Sequence, residues 1–337
     1  MATPTPMGAS LVTPCVRIAR FGGPEVLEPG EIEVAAPGPG EVRVRHSGIG
    51  VNFVDVYHRI GQLHGDGPHP PFVPGVQANG VVEAVGEGVT DLSPGDRVTH
   101  ANVGIGSYVG HRVLPADRLV RIPDGLDDDL VTASYLRGLT CHYLLKRLYV
   151  VKPGDTVLVH AAAGGVGQLM VQWAKLLGAT VIGTVGSDAK AEFVRSLGCD
   201  HPIVYTRESF VERVRDITGG EGVPVVYDSV GADTFMGSLD CLAPMGLAIN
   251  YGTASGQVPP FPLQRLHSKS LSVCRPTLRT WIARREDLMT ASREFFDLLG
   301  SGALRIEISA RLPLARAADA HRLLEGRTTA GAVLLTH

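Results

Sequence analysis

The stretch of sequence from Asp155 to Gly178 constrains the fold more than any other part of the chain. Residues 155–160, DTVLVH, form a continuous apolar run, which is typical of a strand buried on both faces of a parallel sheet. The glycine-rich segment AAAGGVG follows at once. In residues 168–177 the polar side chains share one stripe, which predicts an amphipathic helix that ends at Gly178. This part of the chain therefore predicts a strand, a glycine turn and a helix in immediate succession.

The alternation of strands and helices continues beyond this helix. Further strands are predicted at residues 180–185, 203–205, 223–227 and 246–251. Ser187 and Ser209 are predicted N-caps of intervening helices, the second within a capping box. Strands that alternate with helices indicate a doubly wound parallel sheet, so we predict an α/β fold class.

The flanking sequence has a different pattern. Between residues 16 and 120, short apolar runs are separated by Gly- and Pro-rich turns, which predicts a β-rich, barrel-like domain. After Arg275, a strand at 304–308 between two helices fits a return of the chain to that first domain. The length of 337 residues favours two domains, at about 150 residues each. We expect residues 138–275 to form the doubly wound domain and residues 1–137 with 276–337 to form the other.

The glycine turn has the features of a dinucleotide-binding fingerprint. Such a turn needs a tight bend, a position without a side chain where backbone can approach the pyrophosphate, and close packing of helix on strand. Ala162, Gly164 and Gly167 supply these three, and Gly165 and Val166 complete the predicted binding turn. The alternative interpretation is a glycine-rich turn that binds no ligand. It would explain Gly164 and Gly165 but not the rest of the pattern.

The end of the second strand indicates which nicotinamide cofactor fits. An Asp or Glu about 20 residues beyond the fingerprint binds the ribose hydroxyls of NADH and repels a 2′-phosphate. Gly186 stands there, and Ser187 and Lys190 offer a hydroxyl and a positive charge. We therefore predict NADPH, although Asp188 is only two positions further on and Lys190 would also suit a solvated first helical turn.

Composition and charge exclude several classes of protein. A net charge of −3 lacks the basic excess that a nucleic-acid partner requires. The sequence contains no apolar run of 18 residues, so no membrane span is predicted, and the N-terminal residues do not form a secretory signal. The five cysteines are too widely spaced for a metal clip or a disulfide framework, so we expect reduced thiols and a cytoplasmic location.

Seven segments together resemble the quinone oxidoreductase (zeta-crystallin-like) branch of the medium-chain dehydrogenase/reductases. They are FGGPEVLE from Phe21, GIGVNFVDVYHRIG from Gly48, LRGLTCHYLL from Leu136, HAAAGGVGQLMVQWAKLLGA from His160, GTVGSDAKA from Gly183, VYDSVG from Val226 and NYGTASG from Asn250. The resemblance covers nearly the whole chain. It implies a GroES-like catalytic domain built from both chain ends, an inserted Rossmann-type domain and a homodimer joined through the nucleotide domains.

The same resemblance predicts an enzyme without zinc. Zinc-dependent relatives place a Cys about where Asn52 stands and a His-Glu pair near Val76 and Gln77, and these residues cannot form a tetrahedral zinc site. Gln77 also departs from the Glu that is usual in the quinone oxidoreductase branch. The group His58, His64, Asp66 and His69 matches no metal-ligand spacing and is more typical of a solvated loop or an edge of a substrate cleft.

The resemblance also implies residues around the cofactor and substrate. Asn52 would orient the nicotinamide ribose or carboxamide, and Tyr57 would hydrogen-bond the acceptor oxygen; alternatively, Tyr57 packs and water supplies the proton. Lys190 and Tyr205 would surround the 2′-phosphate, although Tyr205 would also suit a packed aromatic at a strand end. The other implied cofactor-lining residues are Tyr143, Ser229, Tyr251, Gly252 and Arg327.

These inferences predict a metal-free NADPH:quinone reductase that moves a hydride to a small quinone. Two alternatives stay open. An enone or acrylyl double-bond reductase needs the same parts, because a conjugated carbonyl accepts a hydride in the same way. A non-catalytic, crystallin-like protein that binds NADPH or RNA would use the dinucleotide fold as a scaffold, although the charge argues against RNA.

Overall fold

The computed structural model describes residues 10–62, 67–326 and 331–337. It separates into two compact units: Met1–Leu136 with Ile306–His337, which we call the terminal unit, and Arg137–Arg305, which we call the central unit. The chain leaves the terminal unit one residue before the predicted boundary. It returns at Ile306 and not at residue 276, because the helix after Arg275 packs within the central unit, where Phe295 lies against Gly138.

The described residues contain fifteen strands, which form three sheets. In chain order they are β1 Leu11–Ile18, β2 Leu27–Val34, β3 Glu41–Gly50, β4 Gln77–Val85, β5 Arg97–Ala101, β6 His111–Pro115, β7 Val120–Arg121, β8 Thr156–Val159, β9 Thr180–Val185, β10 His201–Val204, β11 Val223–Asp228, β12 Leu242–Asn250, β13 Ser272–Cys274, β14 Ile308–Pro313 and β15 Ala332–Thr336.

Within the same described ranges, ten α-helices connect or cover these strands. They are α1 Phe53–Ile60, α2 Asp128–Tyr143, α3 Gly165–Leu176, α4 Asp188–Ser196, α5 Phe210–Ile217, α6 Phe235–Cys241, α7 Gln264–His267, α8 Leu278–Trp281, α9 Arg285–Gly300 and α10 Ala317–Glu325. None of the described helices has both the length and the apolar character needed to cross a membrane.

The terminal unit is β-rich, as its turn-rich sequence predicts. Its larger sheet has the order β14-β15-β3-β4-β5-β7, with β6 on β3, and β1 pairs with β2 in a separate ribbon. One apolar cluster joins Val16, Ile49 and Leu335 to Ala320 of α10, so both ends of the chain share a core. Each such buried aliphatic side chain contributes about 1.5–3 kcal/mol relative to exposure.

One predicted strand of the terminal unit is displaced along the sequence. The alternating run at 304–308 predicts a strand, but β14 starts at Ile308 and continues to Pro313. The alternation of half-buried and exposed side chains persists through these later residues. A strand forms where it has a partner, and the pairing with β15 begins at Ile308 opposite Ala332.

The central unit is a doubly wound sheet. Its six strands are all parallel, in the order β10-β9-β8-β11-β12-β13. Numbered along the unit, this is the 3-2-1-4-5-6 order of dinucleotide-binding folds, in which ligands bind outside the carboxyl ends of the strands where the order reverses. The reversal lies between β8 and β11, where Val159 is paired with Tyr227. The predicted Rossmann-type topology is confirmed.

Candidate active site

Most predicted cofactor residues lie at the carboxyl ends of the central strands. Ala162 and the glycine turn follow β8, Ser187 and Lys190 follow β9, and Tyr205 follows β10. Ser229 follows β11, and Tyr251 and Gly252 follow β12. Because parallel strands end at the same sheet edge, residues dispersed over 91 positions, from Ala162 to Gly252, come to one edge of the fold.

The fingerprint turn owes its shape to close backbone contacts. Gly164 is the N-cap of α3, and its N–H donates to the Ala161 carbonyl at 2.8 Å. A Cβ at Gly167 would lie 2.3 Å from the Ala161 oxygen, so this position must be glycine for α3 to approach the strand. A Cβ at Gly164 would meet that same oxygen at 3.0 Å and the Ala161 Cβ at 3.8 Å. The turn thus has the tight bend, the bare backbone and the close helix packing that a pyrophosphate requires.

The region after β9 has the groups expected near an adenosine phosphate. Ser187 caps α4 by accepting a hydrogen bond from the Lys190 N–H at 3.4 Å. The Tyr205 hydroxyl lies 3.0 Å from where a Cβ of Gly186 would be. Asp188, the acid that would have suited NADH, is paired with Arg207 at 2.7 Å on the surface. Its carboxylate is therefore already occupied by a guanidinium.

The loops after β11 and β12 pack backbone against backbone. A Cβ at Gly252 would lie 2.6 Å from the Ser229 carbonyl oxygen, so glycine is required there. The Tyr251 hydroxyl is buried and has no hydrogen-bond partner among the described residues. Burial raises the pKa of this phenol, and the neighbouring Ser229 side chain opposes that rise. A buried hydroxyl without a partner at this edge can donate to a ligand.

Tyr143 is the last residue of α2 and is almost fully buried. Its ring stacks on Trp281 with 5.5 Å between centroids and planes 6° apart. Burial raises the pKa of its phenol. Trp281 was not predicted from the sequence, because nothing in the spacing of positions 143 and 281 indicates a stacked pair. Arg327 lies outside the described residues, as do His64 and Asp66 of the histidine-rich segment.

His160 is a core residue and not a catalyst. Its Nδ1 lies 2.9 Å from the Thr184 hydroxyl and its Nε2 lies 3.0 Å from the Ser238 hydroxyl. The side chain is fully buried with both nitrogens engaged.

Asn52 is held rigidly in the terminal unit. It is the N-cap of α1, and its backbone N–H donates to Asp55 at 2.9 Å. Its amide Nδ2 donates to the Gly50 carbonyl at 3.1 Å and to Gln77 Oε1 at 3.0 Å. Both amide hydrogens are thereby used. The Oδ1 faces the Asp55 N–H in a capping box and has a second lone pair that can accept from a further partner.

Gln77 positions Asn52, a role that the sequence did not reveal. Its Oε1 accepts from Asn52, and its Nε2 donates to the Thr132 carbonyl at 2.8 Å. A carboxylate at this position could accept from Asn52 but could not donate to Thr132 unless it were protonated. Gln77 can therefore make both hydrogen bonds, whereas the Glu that is usual in the family could make only the one with Asn52 when ionised.

Tyr57 lies on α1, one turn beyond Phe53, and is half-buried. The two rings are tilted by 47° with centroids 6.3 Å apart. His58 on the same helix is buried, whereas His69 of the histidine-rich segment is exposed. Within residues 10–62, 67–326 and 331–337, no three His, Cys, Asp or Glu side chains come together to hold a metal.

Comparison with known proteins identifies relatives over nearly the whole chain. Residues 38–124 match the alcohol dehydrogenase GroES-like domain, and residues 165–296 match the zinc-binding dehydrogenase model. The chain is 46% identical to a 2-haloacrylate reductase from a Burkholderia species over 326 residues, covering 94% of this chain and 97% of that protein. It is also 46% identical to a quinone oxidoreductase of Pseudomonas aeruginosa over 321 residues, covering 95% and 98%.

A solved structure agrees with this similarity. The crystal structure of Escherichia coli quinone oxidoreductase complexed with NADPH matches with a TM-score of 0.93 at 42% identity. The match covers 96% of this chain and all of that chain. The predicted combination of a GroES-like domain with a Rossmann-type domain is confirmed.

Proposed function

Because the chain belongs to the quinone oxidoreductase family of the medium-chain dehydrogenase/reductases, we propose that it is an NADPH-dependent quinone reductase that uses no metal. The observation that carries the proposal is the edge of the central sheet, where the bare backbone at Gly164 follows β8 and cationic and hydroxyl groups follow the neighbouring strand β9. The full-length similarity to quinone oxidoreductases supports it.

The residues present suit NADPH. The backbone turn before α3 would hold the pyrophosphate, and Lys190 with Tyr205 would bind the 2′-phosphate. Ser229, Tyr251 and Gly252 would line the cofactor further along the edge, with Tyr143 beside it. When bound, NADPH supplies the hydride, and the quinone takes up this hydride and one proton to become a hydroquinone.

In the terminal unit, two side chains have roles in the proposed reaction. Asn52 Oδ1 would accept a hydrogen bond from a ribose hydroxyl or from the carboxamide, because both its amide hydrogens are used within the fold. Tyr57 would donate its hydroxyl hydrogen to the acceptor oxygen and so stabilise the charge that develops there. The residues that replace zinc ligands, Asn52 and Gln77, are hydrogen-bonded to each other, which supports chemistry without a metal.

A second candidate function is reduction of the double bond of an acrylate. It is favoured by the 46% identity to a 2-haloacrylate reductase. The two activities share the hydride donor and an oxygen that must be stabilised, so they differ in the shape of the acceptor. An assay that compares a quinone with an acrylate as the acceptor can therefore distinguish the two activities.

The proposal extends to assembly and location. Two copies would join through β13, which pairs with β12 on one side and carries the exposed Val273. Val273→Asp should lower the molar mass measured by light scattering if this edge joins two copies.

A cytoplasmic location fits the five cysteines. They are free thiols, which is typical of proteins from the reducing cytoplasm.

The test is the oxidation of NADPH, followed optically, with 1,4-benzoquinone and with 2-chloroacrylate. Turnover with the quinone supports the proposal, and turnover with the acrylate alone supports the second candidate. Turnover with neither, despite NADPH binding, would favour a binding protein. Gly164→Val should abolish NADPH binding, whereas Gly30→Val, where a Cβ meets nothing within 4 Å, should not.

A further inference from the structure

Arg137 is a buried cation at the start of the pyrophosphate-binding helix. It lies on α2 and is 8% exposed. A Cβ on Gly165, the first residue of α3, would lie 2.8 Å from its Cζ and 3.0 Å from its Nη1. The guanidinium therefore packs directly on the first turn of α3, and glycine at position 165 makes room for it.

Arg137 has no carboxylate partner within the part of the chain that the structure describes. The neighbour that affects it electrostatically is Cys141, a buried thiol whose own pKa is raised by burial. Burial lowers the pKa of Arg137 to about 10, so the guanidinium remains charged at neutral pH. A buried charge without a counter-ion is costly, because neither water nor an opposite charge replaces its hydration.

Two other buried arginines show how this fold ordinarily compensates such a charge. Arg43 donates to Glu83 at 2.8 Å, and Arg59 donates to both carboxylate oxygens of Glu325 at 2.7 and 2.8 Å. Each of these arginines is 1% exposed. Arg137 differs from them in lacking an acid, although its burial is similar.

The first turn of α3 attracts negative charge at the same place. This helix has 12 residues, and the N–H groups of its first turn have no acceptor within the helix. The helix dipole adds a partial positive charge at that end. The helix terminus and the unpaired guanidinium are independent features, and both favour an anion beside Gly165.

We propose that Arg137 is the counter-ion of the cofactor's pyrophosphate and donates a hydrogen bond to one of its oxygens. The inference rests on the proposed function, since it assigns a residue to the same NADPH site. It assigns a different phosphate group of the cofactor to each of the two cations, Arg137 and Lys190. Arg137 binds the pyrophosphate that NADPH and NADH share, whereas Lys190 binds the 2′-phosphate that only NADPH carries.

The test is a titration of the Arg137→Met variant with three ligands by calorimetry. Loss of a charge-assisted hydrogen bond should weaken NADPH and NADH by the same factor, about 10- to 100-fold. Binding of 2′-AMP, which has no pyrophosphate, should not change. Unchanged NADPH affinity, or an equal loss for 2′-AMP, would overturn the assignment.

Further variants exclude a structural explanation. Lys175→Met removes a cation from the opposite end of α3 and should leave both cofactor affinities unchanged. Without ligand, Arg137→Met should unfold at the same temperature as the parent or higher, because a buried charge is removed. If that variant does not fold, Arg137→Lys should fold and retain more affinity than Arg137→Gln; equal affinities of these two variants would contradict the proposal.

Binding measurements on the parent protein separate the proposed function from the role of Arg137. Failure of the parent to bind either NADPH or NADH would overturn the proposed function itself. Binding by the parent with unchanged binding by the variants would overturn only the role of Arg137. Inorganic pyrophosphate provides a direct probe, since it should raise the unfolding temperature of the parent and not that of Arg137→Met.

Discussion

Two buried arginines, one in each unit of this protein, differ in how their charge is compensated. In the terminal unit, Arg59 is enclosed by Glu325, the Gly22 carbonyl and His321, so the fold itself supplies every partner. In the central unit, Arg137 is buried without an acid among the described residues. A charge compensated internally stabilises the fold, whereas a charge left for a ligand stabilises the complex.

The terminal unit also contains a connected chain of titratable groups. Arg59 donates to His321 Nδ1 at 2.9 Å, so the ring hydrogen is on Nε2, which lies 3.0 Å from the Tyr108 hydroxyl. Tyr108 in turn donates to Asp55 at 3.3 Å. Burial raises the pKa of Asp55 to about 7, and burial together with Arg59 lowers that of His321 to about 3. This core is therefore more sensitive to pH than an apolar one.

Replacing Arg59 with Met should have the largest effect on stability. The substitution leaves His321 and Glu325 without their donor, and breaking a buried pair in this way costs about 3 kcal/mol. Urea denaturation measures the loss. Arg311→Met removes an exposed pair with Asp129 and should cost less than about 1 kcal/mol. Equal losses for the two variants would show that burial does not distinguish them.

Replacing Tyr57 with Phe tests whether the terminal unit contributes chemistry as well as structure. If the hydroxyl stabilises the acceptor oxygen, turnover should fall by about 100-fold, the size of a general-acid contribution. Steady-state kinetics with 1,4-benzoquinone provides the measurement. Phe53→Leu, one turn earlier on α1, is the matched control for ring packing. An unchanged rate in Tyr57→Phe would assign Tyr57 to packing and proton donation to water.

Replacing Lys190 with Ala tests the charge in the central unit that we propose for the 2′-phosphate. NADPH should bind about 10- to 100-fold more weakly because a charge-assisted contact with the 2′-phosphate is lost. NADH, which lacks that phosphate, should bind as before. The loss should shrink at high salt, since part of the attraction is screened. Equal weakening of both cofactors would instead indicate a structural role.

Replacing His58 with Leu should give the smallest effect, and one that depends on pH. Burial lowers the pKa of His58 from 6.5 to about 4, so the folded protein keeps it neutral while the unfolded chain takes up a proton. Between about pH 6.5 and pH 4 the parent thus loses about 1.4 kcal/mol of stability per pH unit through this residue, and the variant does not. Urea denaturation at about pH 7.5 and 5.5 should show that the free energy of unfolding of the variant rises relative to that of the parent at the lower pH. A difference that does not change with pH would contradict this.

The doubly wound fold was predictable because its signals are local. Residues 155–178 specify strand, turn and helix through adjacent residues, and Ser187 and Ser209 accept the predicted capping hydrogen bonds. Most predicted cofactor positions follow strand ends, so knowledge of the topology is enough to bring them to one edge. Their individual roles stay predictions until binding is measured.

The features that were missed depend on contacts between distant residues. Gln77 positions Asn52 from 25 residues away, and Phe295 fixes the second boundary by packing on Gly138. Neither pairing leaves a periodic pattern in the sequence. Arg137 did leave a signal, since it is the single charged residue in the apolar run LRGLTCHYLL, but a charge in such a run also suits a surface position.

The shared core of the two chain ends has a consequence for folding during synthesis. Strand β3 pairs with β15, so Gly50 meets Leu334 across almost the whole length of the chain. A ribosome releases all of the central unit before the last strand that the terminal unit needs. The segment up to Leu136 therefore has an incomplete sheet until the last strand is synthesised. Contacts between residues so far apart in sequence also form slowly. Chaperone dependence of the newly made chain should accordingly concentrate on the segment up to Leu136.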